Sequence, residues 1–255
     1  MSLDIYNGYS FDRSHLNNYD EDNCDNYYFK SFYLQELIGS TIAKNIGLET
    51  VNYKLFKNCP FDSKQKSSDI MLASLDFKKE NNFYFNIFSF IEINCPELYD
   101  TMYLENHLSH YLNQCVDKEN RKIFINKFLK LVALDTYMRQ KDRCRVNITL
   151  CRNKQTNFFD FSPIYDYEKS LLTEDVSKEF FYRNPIWPLN LYTYPIFCDE
   201  YPDFKDELTN LQKLDLMALI DEIAGKYHFT MTSEIEDYYK KQEEISQLLL
   251  QKILN

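Results

Sequence analysis

From Asp117 onward, apolar residues recur at Ile123, Phe124, Phe128, Leu131, Val132 and Met138, with Asp135 the exception inside the stripe. This spacing predicts a long buried helix, opened by the acidic residues Asp117 and Glu119. The helix runs into a polar turn holding Asp142 and Asn147. A short apolar strand follows at residues 148–151, then a second strand around Phe158 and a turn at Pro163 ahead of Asp166. Upstream, residues 27–30 have the aromatic composition of a strand. Apolar positions 34, 37, 38, 42 and 46 then predict a helix that stops at Gly47. Residues 51–56 alternate as a strand, 59–68 form a turn-rich loop, and 70–75 is an apolar run of strand length. One further short strand is expected near residues 3–6.

Residues 83–93 are apolar and aromatic without a clean period, which suits either strand or helix. Pro96 and Glu97 are placed to open a helix, continued by apolar positions 98, 102, 104, 108, 111 and 112. Five of the seven prolines lie between residues 163 and 202, interleaved with aromatics, and predict an ordered, non-repetitive segment over 173–205. Two helices are expected at 208–223 and 233–254, separated by Gly225.

Composition narrows the function. With 255 residues, 44% hydrophobic and 16% aromatic, the chain can bury a large core. Its net charge of −10 and lack of any basic run longer than two residues argue against a nucleic-acid binder. Seven scattered cysteines at no zinc-finger interval predict reduced thiols and a cytoplasmic protein. The N-terminus lacks the apolar core of a secretory signal, and no apolar run is long enough to span a membrane. Only four glycines are present, so a glycine-rich phosphate loop is not expected.

The chemistry concentrates in the turn after the long helix. Phosphoryl transfer uses one carboxylate to orient or accept the proton of an attacking hydroxyl, and an amide with a second carboxylate to hold Mg2+. Asp142 and Asn147 stand five positions apart, the interval of a kinase catalytic loop. The same interval occurs at Asp12/Asn17 and Asp76/Asn81, and a turn whose Asp and Asn bond their own backbone gives it too. Only the pair at 142 and 147 lies between a helix and a strand and precedes a further carboxylate after a proline turn. Lys30 at a strand end and Glu36 in the next helix suit a Lys–Glu ion pair, although taken alone a surface lysine and a helix-favouring glutamate explain them better. His107 and His110, three apart on one helix, lack a third metal ligand and read as ordinary histidines.

Asp142-Arg143-Cys144-Arg145-Val146-Asn147-Ile148 resembles the Asp-Arg-His-x-x-Asn loop of HipA-like serine/threonine kinases and of phosphoinositide kinases. Pro163-Ile164-Tyr165-Asp166 with Ser170-Leu171 resembles the HipA-like segment carrying the second metal-binding Asp, and Leu134-Asp135 also fits. Residues 35–48 look like the first helix of that kinase core, with Lys30 where the family has its nucleotide-contacting lysine. The likeness covers about residues 27–175.

The resemblance implies an α+β, two-lobed protein-kinase-like fold with a small mixed N-lobe at 1–76 and a mainly helical C-lobe at 77–255. It implies ATP-dependent phosphorylation of Ser or Thr in a protein substrate, with ATP and Mg2+ as cofactors. Asp142 would act on the hydroxyl, Asn147 and Asp166 would hold Mg2+, and Lys30, steadied by Glu36, would grip phosphate. An antitoxin-like protein partner is also implied, with no direct contact to nucleic acid or membrane. Cys144 replaces the family's His, and Glu168 stands near the metal-binding Asp where the family often has Gly. Those departures favour a pseudokinase as the alternative, and a lipid kinase is a further one, disfavoured by the lack of a basic membrane-facing cluster.

Overall fold

The computed structural model describes residues 9–18, 26–57, 70–96, 104–140, 143, 147–172 and 193–255. The expected strand at 3–6, residues 97–103 of the helix expected after Pro96, Asp142 and Cys144 lie outside them. The described chain opens with strands β1 (Tyr9–Phe11) and β2 (Asn17–Asn18). The alternating and apolar runs that follow form β3 (Tyr27–Ser31), β4 (Tyr53–Lys57) and β5 (Ile70–Leu75), joined with β2 in a four-stranded sheet of order β2-β4-β5-β3. Antiparallel register sets Lys30 opposite Leu72 and Leu72 opposite Leu55, so these three share one face of the sheet.

Helix α1 (Leu34–Asn45) packs Leu37, Ile38 and Ile42 into the core. It ends as Gly47 predicts: at φ 81° this glycine allows Gly47 N–H to reach Lys44 O at 3.0 Å and Leu48 N–H to reach Ala43 O at 2.8 Å. Both bonds satisfy carbonyls that the last turn leaves open.

The aperiodic stretch after residue 82 divides between both structures it could form. β6 (Asn82–Asn86) passes directly into α2 (Ile87–Asn94), and Asn86 caps that helix by accepting from Ser89 N–H at 2.7 Å. Helix α3 (Leu104–Leu112) precedes the long central helix α4 (Lys118–Tyr137), which Asp117 caps through Asn120 N–H at 2.8 Å. Strands β7 (Thr149–Asn153) and β8 (Phe159–Phe161) complete a second, three-stranded sheet of order β6-β7-β8. Phe124 of α4 stacks on Phe161 of β8 at 4.6 Å between ring centroids, fastening that sheet to the helix.

The C-terminal pattern differs from its expectation. The segment read as one helix over 208–223 is two: α5 (Thr193–Glu200) leads into α6 (Pro202–Gln212), and Asp215 caps a new helix α7 (Leu216–Tyr227). Gly225 lies inside α7, where it breaks nothing, and the left-handed residue His228 ends the helix instead, at φ 55°. Of the proline-rich stretch 173–205, expected to be non-repetitive, residues 173–192 lie outside the described residues, and 193–200 and 202–205 are helical, because prolines at helix starts cost no backbone bond. β9 (Phe229–Met231) pairs antiparallel with β1, and α8 (Ser233–Leu254) closes the chain. Among the described residues, no helix is long and apolar enough to cross a membrane.

Candidate active site

The site is assembled from the ends of α1, β3, α4 and the segment after β8. Asn120 of α4, almost fully buried, accepts from Phe159 N–H at 3.1 Å and donates to Phe159 O at 2.7 Å, bonding β8 as a neighbouring strand would. Lys127 adds an ion pair to Asp160 at 2.5 Å. Beyond β8 the backbone bridges to the chain following α1: Ile164 N–H donates to Glu49 O at 2.8 Å and Val51 N–H to Ile164 O at 3.2 Å. Asp166 follows in a left-handed conformation at φ 70°, a region that Asp tolerates better than most side chains.

There the lysine and the carboxylates meet. Lys30 Nζ bonds Glu36 Oε1, reaches Asp166 Oδ1 at 3.1 Å and lies 3.7 Å from Glu168 Oε2. Glu36 is fully buried, and its other oxygen accepts from Tyr53 OH at 2.8 Å. Burial by itself lowers the pKa of Lys30, but the charge and hydrogen bonds of Glu36 and Asp166 outweigh it and hold the ammonium above its ordinary range. Burial and the Glu36 charge together push the Tyr53 phenol far up, so it remains a donor.

Two loop side chains hold the backbone on which Asp166 sits. Gln140 Nε2 donates to Asp166 O at 2.6 Å, and Arg143 Nη1 donates to Tyr165 O at 2.6 Å. Arg143 is fully buried and held by Asp135 through Nε at 3.1 and 3.2 Å and Nη2 at 3.0 Å. Its guanidinium also lies 4.9 Å from the ring centre of Tyr167. Desolvation would lower the arginine pKa, and the paired Asp135 more than reverses this, so the charge stays on. Asp135, the polar exception in the apolar stripe, is thereby explained as the partner of a buried cation.

Of the residues singled out from the sequence, the structure brings Lys30, Glu36 and Asp166 together. Asn147 is half-buried just ahead of Ile148, whose carbonyl accepts from Ile87 N–H at 3.0 Å. Asp142 lies outside the described residues, as does the side chain of His107. Tyr53, Gln140 and Arg143 were not foreseen as site residues. Arg143 stood inside the recognised loop and Asp135 eight residues before it, and that pairing was the one available signal. Cys95 Sγ lies 3.0 Å from His110 Nδ1, which accounts for one of the two histidines of α3 without a metal.

Next to the lysine lies a cleft of about 720 Å3, within the range of small-molecule sites. Tyr28, Lys30 and Ser74 of the four-stranded sheet form one wall, and Tyr84, Phe85 and Thr149 of the three-stranded sheet form the other. Phe77, from the linker between β5 and β6, also lines it and stacks on Tyr165 at 5.8 Å between ring centroids.

This is a HipA-like kinase fold. The Helicobacter pylori proinflammatory kinase CtkA superposes with a TM-score of 0.59 at 17% identity, over 89% of this chain and 86% of that one. HipA of Shewanella oneidensis MR-1, solved with HipB and operator DNA, superposes with a TM-score of 0.58 at 12% identity over 89% of this chain. The chain spans 58% of the length of that HipA chain. No family model and no curated protein matches the sequence.

Proposed function

We propose that the protein is a HipA-like kinase that transfers the γ-phosphoryl group of ATP to a Ser or Thr hydroxyl of a protein. The observation that carries this reading is the contact of Lys30 with both Glu36 and Asp166 at the edge of the 720 Å3 cleft. The aromatic side chains of the cleft walls would take the base, and Lys30 would neutralise phosphate charge. Asp142 would orient the hydroxyl and accept its proton as the new O–P bond forms and the bond to ADP breaks. Gln140 and Arg143, which flank Asp142 in the sequence, hold consecutive carbonyls at 166 and 165. The available donors are oxygens, the preference of a hard divalent cation, and Asp166 with Asn147 would hold Mg2+. When bound, that ion supplies charge neutralisation to the phosphates.

We divide the chain at the 76–82 linker, with the N-lobe at 1–76 and the C-lobe at 77–255. The likeness to HipA, whose structure includes HipB, supports an antitoxin-like protein partner for this chain. Buried thiols at Cys115, Cys151 and Cys198, outside any disulfide, support a cytoplasmic setting. The second reading is a pseudokinase that binds nucleotide without turnover, favoured by Cys144 at the position of the loop His.

The test is calorimetric titration with MgATP, together with transfer of labelled γ-phosphate to the protein itself and to a panel of protein substrates. Lys30→Met should abolish tight nucleotide binding, and Asp142→Ala should abolish transfer while binding persists. Binding without transfer by the wild type establishes the pseudokinase instead. No binding at millimolar MgATP overturns both readings.

A further inference from the structure

The lysine of this site is shared among more carboxylates than a phosphate grip requires. Glu36 holds Lys30 Nζ from within the core, and Tyr53 occupies the second oxygen of Glu36. That pair is fixed. Asp166 approaches from the segment after β8 at 3.1 Å. Glu168, two residues further on, adds a third negative charge at 3.7 Å, and both it and the lysine keep 27% of their side-chain surface exposed. Its other oxygen lies 3.9 Å from Lys169 Nζ. The three carboxylates do not constitute an empty cation site, because the ammonium of Lys30 stands among them.

We propose that Glu168 is a positioning residue that competes with the nucleotide's phosphates for Lys30, and that Lys169 moderates this competition by pairing with Glu168. The proposal rests on the kinase reading above. Its physical basis is simple. A triphosphate and the Glu168 carboxylate are both anionic partners for one ammonium, and each contact made by one weakens that of the other. Glu36 cannot play this part, since it is buried and tied to Tyr53. Glu168 can, since it is only half-buried and can turn to water once phosphate arrives. The cost of displacing it falls on nucleotide binding and leaves the transfer step alone.

The charge counts differ accordingly. With Glu168 in place, Lys30 faces three carboxylates. Glu168→Gln keeps the shape and a polar tip and removes one negative charge next to the phosphate position. For a partly exposed pair the effect is modest, about three- to fivefold.

The experiment measures KM for MgATP and kcat in four proteins: wild type, Glu168→Gln, Lys169→Gln and the double variant, each at low and high salt. Glu168→Gln is expected to lower KM about three- to fivefold with kcat unchanged, and the gain should shrink as salt screens the charges. Lys169→Gln should raise KM in the wild-type background and have a smaller effect when Glu168 is already Gln, the coupling expected of contacting residues. An unchanged or raised KM in Glu168→Gln overturns the proposal, as does an effect of Lys169→Gln that is the same in both backgrounds. A wild type that binds no MgATP overturns the kinase reading itself, so the two failures are distinguishable. Equal melting temperatures of Glu168→Gln and wild type would exclude a general loss of structure as the cause of any change.

Discussion

Gln140 Nε2 and the carbonyl oxygen of Asp166 are 2.6 Å apart, and the peptide they join carries a left-handed aspartate at φ 70°. A fully buried amide from one loop thus fixes the backbone of the residue that meets Lys30. Gln140→Leu keeps the bulk and removes the donor, leaving a carbonyl without its partner. A stability loss of about 1–3 kcal/mol is expected. Phosphoryl transfer should fall further than MgATP binding, because transfer depends on geometry to within fractions of an ångström. Denaturant midpoints beside single-turnover rates check this, and equal losses in binding and transfer would contradict it.

Asp135 and Arg143 form a fully buried ion pair. Asp135→Asn leaves the guanidinium without its counter-charge and should destabilise the fold by about 3–5 kcal/mol. Asp135→Leu with Arg143→Met removes both charges, and most of that stability should return. Activity should not return, since the bond from Arg143 to Tyr165 O is lost as well. Urea unfolding of the three proteins gives the comparison.

Gly39 lies within α1 against the ring of Tyr167. A Cβ at this glycine would stand 2.3 Å from Tyr167 Cγ, closer than any real contact. Gly39→Ala must therefore push α1 away from the ring or turn Tyr167 out of its fully buried place. Overpacking of this kind costs about 1–3 kcal/mol, against the gain of up to ~1 kcal/mol that Ala brings to an ordinary helix position. Because α1 also carries Glu36, MgATP affinity should fall together with melting temperature. A melting temperature above wild type would show that the contact relaxes freely.

Burial pushes the thiols of Cys115, Cys151 and Cys198 up to about 11 from an ordinary 9.0. The folded pKa of each lies above its unfolded value. Their contribution to stability is then fully present below about pH 9 and is lost as pH rises through about 11. The melting temperature should decline across that window. Iodoacetamide at pH 8 should label these three thiols in the native protein far more slowly than after unfolding, as mass spectrometry of the digests will show.

Much of this protein was written in local pattern. The spacing of Leu37, Ile38 and Ile42 set α1, Gly47 ended it, and the stripe from Phe124 to Met138 set α4, because one-face burial imposes a period on the chain itself. The pairing of Lys30 with Glu36 was also open to a sequence reading, since strand end and first helical turn are only six residues apart. The sequence could not show that Gln140 and Arg143 reach across to residues 165 and 166, or that Tyr53 completes Glu36. Nor could it show that residues 83–93 split at Asn86. Those facts depend on which carbonyls and carboxylates the packed helices leave within about 3 Å of a donor. Such distances exist only after the chain has closed on itself, when each buried polar group must find a partner wherever the fold puts one.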